Sequence, residues 1–287
     1  MKNNKTLLKN GLYIVATPIG NLQDISFRAI KILEKSNFII CENPTHSLKL
    51  LEEYKIKKKL ISIHDYNEIS VIKKISNDLK NSIISLISDA GSPLISDPGY
   101  KLIRYCINEK IFITSIPGPS SLISALQVSG IPINTFNFNG FIPKKDNQIN
   151  QLFEKTKEFK GAQIFFTSSH RLIKNLEFIS NFFINRKIAI CKELTKINEL
   201  VIRATTYEIL EKIKIDKVKI KGEFIIIIEG KGDKNTNIVN KKIIDNLIMI
   251  SKKFSLTDSV KIVHGLTDLP KKELYTIALT KIKNKNV

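Results

Sequence analysis

Leu12-Tyr-Ile-Val-Ala-Thr-Pro-Ile-Gly-Asn-Leu-Gln-Asp-Ile-Ser26 decides how the first half of the chain is read. An apolar, β-favouring run, Leu12–Ala16, stops at a Pro-Ile-Gly turn. Ser26 then stands where it can cap a helix carrying Phe27, Ile30 and Leu33 at helical spacing. Working outward, the same unit recurs. Strands are predicted at Phe38–Cys41, Leu60–Ile63, Ile83–Ile87 and Ile111–Ser115, separated by amphipathic stretches that include a helix over Tyr100–Glu109. Short strands alternating with helices feed a mostly parallel sheet, so residues 10–128 read as an N-terminal α/β open-sheet domain.

Pro and Gly gather at three of the strand ends: Thr17-Pro-Ile-Gly-Asn21, Ser88-Asp-Ala-Gly-Ser-Pro93 running on to Asp97-Pro-Gly99, and Pro117-Gly-Pro-Ser-Ser121. Ligands of open α/β sheets sit beyond the carboxyl ends of the strands, so three such loops on one edge define a candidate site. Ordinary turn chemistry accounts for any one of them alone. Neither G-x-G-x-x-G nor G-x-x-x-x-G-K-[ST] occurs, which leaves nicotinamide and ATP chemistry without generic support. Gly20, Gly91 and Gly118 suit a ligand approached closely by backbone. S-adenosylmethionine fits that description, though the residues by themselves do not select it.

The second segment, 129–231, is predicted to be an α+β domain completing a cleft with the first. Its strands fall near Phe136–Phe141, Gln163–Phe166, Lys187–Cys191, Leu200–Ala204 and Phe224–Ile228, with helices near Gln148–Glu158 and Arg171–Phe182. Lys231–Asn240 is polar, lacks apolar periodicity and reads as a linker. Residues 241–287 form a small helical module, with helices over Lys241–Ser251, over Thr257–His264 with Gly265 as its stop, and over Pro270–Ile282. Leu256, Val260, Val263, Leu274, Ile277 and Ala278 supply either a small core or a helix-turn-helix that docks on RNA.

Lys and Arg number 46 against 27 acids, a formal charge of +19 that attracts polyanions by counterion release. RNA, DNA and anionic membrane all satisfy it, as does drift of a Lys-, Ile- and Asn-rich composition. Cys41, Cys106 and Cys191 form no C-x-x-C pair, so neither a disulfide framework nor a zinc site is expected, and no metal is assigned. No apolar run approaches the roughly 20 residues of a membrane span, and the N-terminus does not read as a signal peptide. A cytoplasmic protein is expected.

The stretches around residues 12–26, 88–100 and 116–121 closely resemble the ribosomal RNA small-subunit methyltransferase I family, a branch of the tetrapyrrole methylases. So do Gly140-Phe-Ile-Pro-Lys-Lys145, Ser168-Ser-His-Arg171, Glu193-Leu-Thr-Lys196, Lys221-Gly-Glu-Phe224 and Asp268-Leu-Pro-Lys-Lys-Glu-Leu-Tyr275. The resemblance runs in order from about Leu12 to Leu279. It implies a two-domain methylase with S-adenosylmethionine in the cleft, and 2′-O-methylation of a cytidine ribose in the decoding region of small-subunit rRNA. It also implies a homodimer that acts on that rRNA or on the small ribosomal subunit.

Carried over by position, the cofactor loops comprise Pro18, Ile19, Gly20, Asn21 and Leu22; Asp89, Ala90, Gly91, Ser92 and Pro93; and Pro117, Gly118 and Ser120. Asp97 and Pro98 read equally well as a helix cap after a turn. In-line displacement at a methyl carbon activated by sulfonium charge needs positioning above all, with a base to help remove the hydroxyl proton. The candidate bases are Glu42, His46, His170 and Glu193, and either His reads equally as a structural residue. Lys144, Lys145, Arg171 and Lys196 are the candidate RNA contacts, Arg for bidentate phosphate binding and Lys as a point charge.

Two departures from the family pattern stand out. Glu42-Asn-Pro-Thr-His-Ser47 replaces Glu-Asp-Thr-Arg-His-Thr, and Phe166-Thr-Ser-Ser-His-Arg171 replaces Tyr-Glu-Ser-Pro-His-Arg, so two acids and one Arg are absent. The competing readings are a methylase of small tetrapyrrole-type substrates and an RNA-binding ribosome-assembly factor with weakened catalysis.

Overall fold

The structure is a computed structural model that describes residues 8–215, 220–232, 241–267 and 269–282. Its first sheet has the order β3-β2-β4-β1-β5, from β1 (Gly11–Val15), β2 (Phe38–Cys41), β3 (Lys59–Ser62), β4 (Ile83–Ile87) and β5 (Ile113–Ile116), and every pairing is parallel. The crossovers carry α1 (Phe27–Lys35), α2 (Pro44–Glu53), α3 (Glu68–Asn81) and α4 (Tyr100–Asn108). Strand alternation sorts the core into two layers. Leu12, Ile40, Ile84 and Leu86 pack on α3 and α4 with Val71, Ile75 and Leu102. Tyr13, Val15, Ile39 and Cys41 pack on α1 and α2 with Ile32, Leu33 and Leu51. Burial on both faces is what a parallel sheet covered by helices demands.

Local chemistry sets the boundaries. Ser26 caps α1 as expected, its Oγ accepting from the Ala29 amide at 3.1 Å. The last strand begins at Ile113 rather than Ile111, because Lys110 turns left-handed (φ 54°) and the Ile111 amide closes α4 by donating to Cys106 O at 2.9 Å. Asn43 Oδ1 accepts from Thr45 and His46 amides and Pro44 opens α2, so the first departure from the family pattern is a helix start.

The second sheet runs β6-β7-β10-β8-β9, from β6 (Phe136–Phe141), β7 (Ala162–Ser168), β8 (Lys187–Lys192), β9 (Leu200–Thr205) and β10 (Glu223–Ile228). Only β6 and β7 pair in parallel. On one face α6 (Asp146–Thr156), α7 (Leu172–Phe182) and α8 (Thr206–Ile215) bury Phe153, Leu176, Ile179 and Ile209 against Phe165, Ile190 and Ile226. The opposite face is covered by α5 (Ser121–Ser129). This helix leaves the first sheet after β5, yet buries Leu122, Ala125 and Leu126 against Ala189, Cys191, Ile225 and Ile227. Chain continuity with one sheet and a core shared with the other unite both sheets in one compact unit, up to Lys157 and from Gly161 to Glu229.

Glu158–Lys160 and the chain from Gly230 form a second unit. There α9 (Lys241–Ser251), α10 (Leu256–Thr267) and α11 (Lys271–Ile282) enclose a small core of Leu247, Val260, Val263, Leu269, Leu274 and Ala278. Gly265 does not stop α10, as its sequence position suggested. The helix continues to Thr267, since Val263 on the preceding turn is anchored in the core and glycine inside a helix costs only about 1 kcal/mol. Of the expected linker, residues 233–240 lie outside the described residues. Among the described residues no helix is long and apolar enough to cross a membrane.

Candidate active site

The three Pro/Gly loops meet at the carboxyl edge of the first sheet and are tied together by backbone. Thr17 and Gly91 exchange amide-to-carbonyl hydrogen bonds at 2.9 and 3.0 Å, and Ser92 Oγ donates to Pro119 O at 3.1 Å. Glycine is needed where they cross: Gly91 has φ +79°, and a Cβ on Gly118 would come within 3.1 Å of Ala16 Cβ. A fourth loop, between β8 and β9, closes on the first. Thr195 Oγ1 accepts from the Asn21 amide at 3.0 Å, and a Cβ on Gly20 would lie 2.5 Å from Lys196 Cγ.

These loops face the ends of β6, β7 and β10 across a cleft of about 590 Å³, within the usual range for a small-molecule site. Of the expected cofactor residues, Ile19, Asp89, Ala90, Gly91, Ser92 and Ser120 line it. Pro18, Gly20, Pro93, Pro117 and Gly118 belong to the same loops but are not among the residues that line it. Asn21 caps a short turn through its Oδ1 and the Gln23 amide, and Leu22 O accepts from the Tyr54 hydroxyl.

Glu42, His170 and Glu193 of the candidate bases also line the cleft, whereas His46 is exposed on α2. Glu193 is already engaged: its Oε1 accepts from the Glu223 amide at 2.9 Å and from Lys196 Nζ at 3.0 Å. Burial pushes the Glu193 carboxyl up, but the Glu223 amide and Lys196 ammonium outweigh it and hold the carboxyl below the usual range. Lys196 bridges Glu193 and Glu223 at 3.0 Å each. Arg171 spends its guanidinium on Ser168 Oγ (3.2 Å), Ile142 O (2.7 Å) and Pro143 O (3.1 Å), clamping the Gly-Phe-Ile-Pro turn. Lys144 and Lys145 beyond that turn are exposed.

Asp97 is not the cap of α4. Gly99, at φ 122°, holds the cap position, and the buried Glu68 reaches over from α3 to accept from the amides of Gly99 (3.1 Å), Lys101 (2.8 Å) and Leu102 (3.2 Å). Asp97 lines the cleft instead, close enough to Glu42 and Asp89 for their charges to act on it. Burial first, then the charge of Glu42, push its carboxyl up to about 6, with Asp89 adding to the rise and the Ser88 hydroxyl opposing it. Burial, then Asp89 and Asp65, likewise raise Glu42. Asp89 itself is braced by the Asn43 amide at 3.1 Å, a backbone contact indifferent to the side chain at 43.

Phe141 and Phe166, ring centroids 5.3 Å apart, form an apolar wall that the sequence did not flag. A register shift between Phe138 and Phe141, at left-handed Gly140, leaves Phe141 57% exposed, where plain alternation gives no sign of a bulge. Small residues and crossed backbones on one side, carboxylates at the strand ends and aromatic rings opposite suit a flat, partly apolar ligand bearing positive charge.

Comparison with known proteins points the same way. The family model described as Tetrapyrrole (Corrin/Porphyrin) Methylases matches residues 11–210. The chain is 41% identical over 287 residues to the ribosomal RNA small subunit methyltransferase I of Buchnera aphidicola subsp. Baizongia pistaciae, covering 99% of this chain and 98% of that one. It is 42% identical over 227 residues to the protein of the same name from Halalkalibacterium halodurans, 79% and 78% of the two chains. Among solved structures, cobalt precorrin-4 methyltransferase superposes with a TM-score of 0.57 at 16% identity, over 76% of this chain and 94% of the other. Uroporphyrin-III C-methyltransferase from Thermus thermophilus, complexed with S-adenyl homocysteine, gives 0.52 at 12%, over 76% and 92%. At such identities these two share the fold.

Proposed function

Since this chain belongs to the tetrapyrrole methylase family, among its ribosomal RNA small subunit methyltransferase I members, we propose that it methylates the 2′-hydroxyl of a cytidine ribose in the decoding region of 16S rRNA. What carries the reading is a similarity of 41% that spans the whole chain, including the helical tail beyond the 11–210 match. S-adenosylmethionine supplies, when bound, a methyl carbon activated by its sulfonium charge. The residues present fit it. Ala90, Gly91 and Ser92 bring backbone to the cleft without bulk, and Glu42, Asp89 and Asp97 set negative charge beside a cationic donor. Outside the cleft the +19 charge favours an RNA phosphate backbone, to which exposed Lys144 and Lys145 contribute. The reading includes a homodimer acting in the cytoplasm, the former checked by sedimentation.

Mapping ribose methylation in small-subunit rRNA from cells with and without the gene tests it. One cytidine should lose its 2′-O-methyl group on deletion and regain it on complementation. An unchanged methylation map refutes the assignment. Calorimetry with S-adenosylmethionine separates an enzyme, which binds, from an assembly factor, which does not.

A further inference from the structure

We propose that the base of the target nucleotide stacks on Phe141, which makes the wall opposite the cofactor loops the nucleoside subsite; the assignment rests on the methyl-transfer reading above. In a regular strand, side chains three residues apart point to opposite faces. The register shift at Gly140 inserts one residue into β6, and Phe138 and Phe141 consequently both meet the Phe166 ring edge-on, with centroids 4.9 and 5.3 Å from it. Their surroundings differ. Phe138 is half-buried against the core that α5 covers, whereas Phe141 lines the cleft with more than half of its surface bare. The backbone beyond the ring is fixed from both sides. The Ile142 amide donates to Phe166 O at 3.0 Å, while the carbonyls of Ile142 and Pro143 accept from Arg171 at 2.7 and 3.1 Å. Arg171 is thereby a positioning residue for the ring, and a ring held in place in advance gives up little freedom when a ligand lies on it.

The chemistry of this wall matches an unpaired nucleotide. Lys144 and Lys145 stand exposed just beyond the ring in the chain. A bare aromatic with cations alongside is how single-stranded nucleic acid is held, base on the ring and phosphate on the ammonium. Ser169 and His170, after the end of β7, line the same cleft and offer polar groups to the edge of the base. The other wall suits a different ligand. Glu42, Asp89 and Asp97 stand there, and their charges attract a sulfonium cation but repel a phosphodiester. Donor and acceptor are thus sorted by charge to opposite sides of one cleft. A base that reaches Phe141 has left its own stack, and its ribose is presented singly to the methyl donor.

The test uses the full chain, small ribosomal subunits lacking this methyl group, and labelled S-adenosylmethionine. F141A and F141L should each lower kcat/KM for the subunit about 10–100-fold, while F141Y and F141W stay near the wild-type value, because stacking needs a π-face rather than apolar bulk. All four should keep the wild-type affinity for S-adenosylmethionine in calorimetry and, the ring being exposed, the wild-type melting temperature. Across a salt series, F141A should weaken subunit binding without changing its salt dependence, whereas the double variant K144A/K145A should flatten it. An F141L as active as the wild type reduces the ring to apolar packing. An F141A that loses the methyl donor puts the ring against the adenosyl group, and one that sediments as a different oligomer puts it in a contact between copies of the chain. Each of these overturns the assignment alone. A wild type inert toward the subunit overturns the reading and the assignment together.

Discussion

A Cβ on Gly222 would lie 2.5 Å from the Glu193 carboxyl carbon, at a φ of +108° that side chains rarely adopt. Gly222→Ala should therefore cost more than about 1 kcal/mol and displace Glu193 from its amide and Lys196. Thermal unfolding and cofactor calorimetry should both register the loss, and a variant matching wild type in both refutes the role given to this close approach. Asp97 carries a stability consequence of opposite sign. Its folded value near 6 exceeds the ordinary 3.8, so the native state holds more protons in that window. The stability from this group is present below the ordinary value and is lost as pH rises through 6. Asp97→Asn, unable to ionise, should gain about 1–3 kcal/mol over wild type at pH 8 relative to pH 4. Melting curves at the two pH values check this, and a wild type that pulls ahead on going to pH 8 contradicts it. Of these two residues, Gly222 stood within a recognised motif, Lys221-Gly-Glu-Phe224, while the role of Asp97 was open. An Asp before Pro-Gly looks like a cap until a carboxylate from elsewhere is seen to occupy the helix end.

Among the elements, the start of α4 is the instructive one. Three amides at its first turn converge on Glu68, a residue 31 positions upstream of Gly99 and only 3% exposed. Glu68→Ala leaves the buried Gly99 and Leu102 amides and the half-buried Lys101 amide without their acceptor, and should destabilise the fold by about 2–4 kcal/mol, with Glu68→Gln milder. Denaturant unfolding reads this directly; a loss below about 0.5 kcal/mol means that water replaces the carboxylate at no cost. Strand and helix positions were legible because period-two and period-3.6 apolar spacing reports burial, and Ser26 showed its cap outright. The starts and stops that shifted, at Ile113 and beyond Gly265, depend on backbone turns and core anchoring that local composition does not encode.

At the scale of the molecule, α5 is the element that makes one body of two sheets, and the chain as a whole carries a charge of +19. The helical tail forms its own unit around Leu247, Val260 and Leu274. We expect removal of residues 241–287 to spare cofactor binding and to weaken affinity for the small subunit, most visibly at raised salt, because fewer phosphate contacts are then made. Filter binding across a salt series tests this. Unchanged affinity refutes a docking role for the tail.

From its residues alone the chain determined an α/β sheet, three ligand loops on one edge and, through long family-like runs, the chemistry expected there, since periodicity and turn residues are local properties written in order. Tertiary structure alone decided that α5 serves the second sheet, that Glu193 and Arg171 are occupied internally, and that Glu42 and Asp97 line one cleft. Those outcomes rest on pairings between distant segments, where burial and charge depend on what the fold brings alongside a residue rather than on its neighbours in the chain.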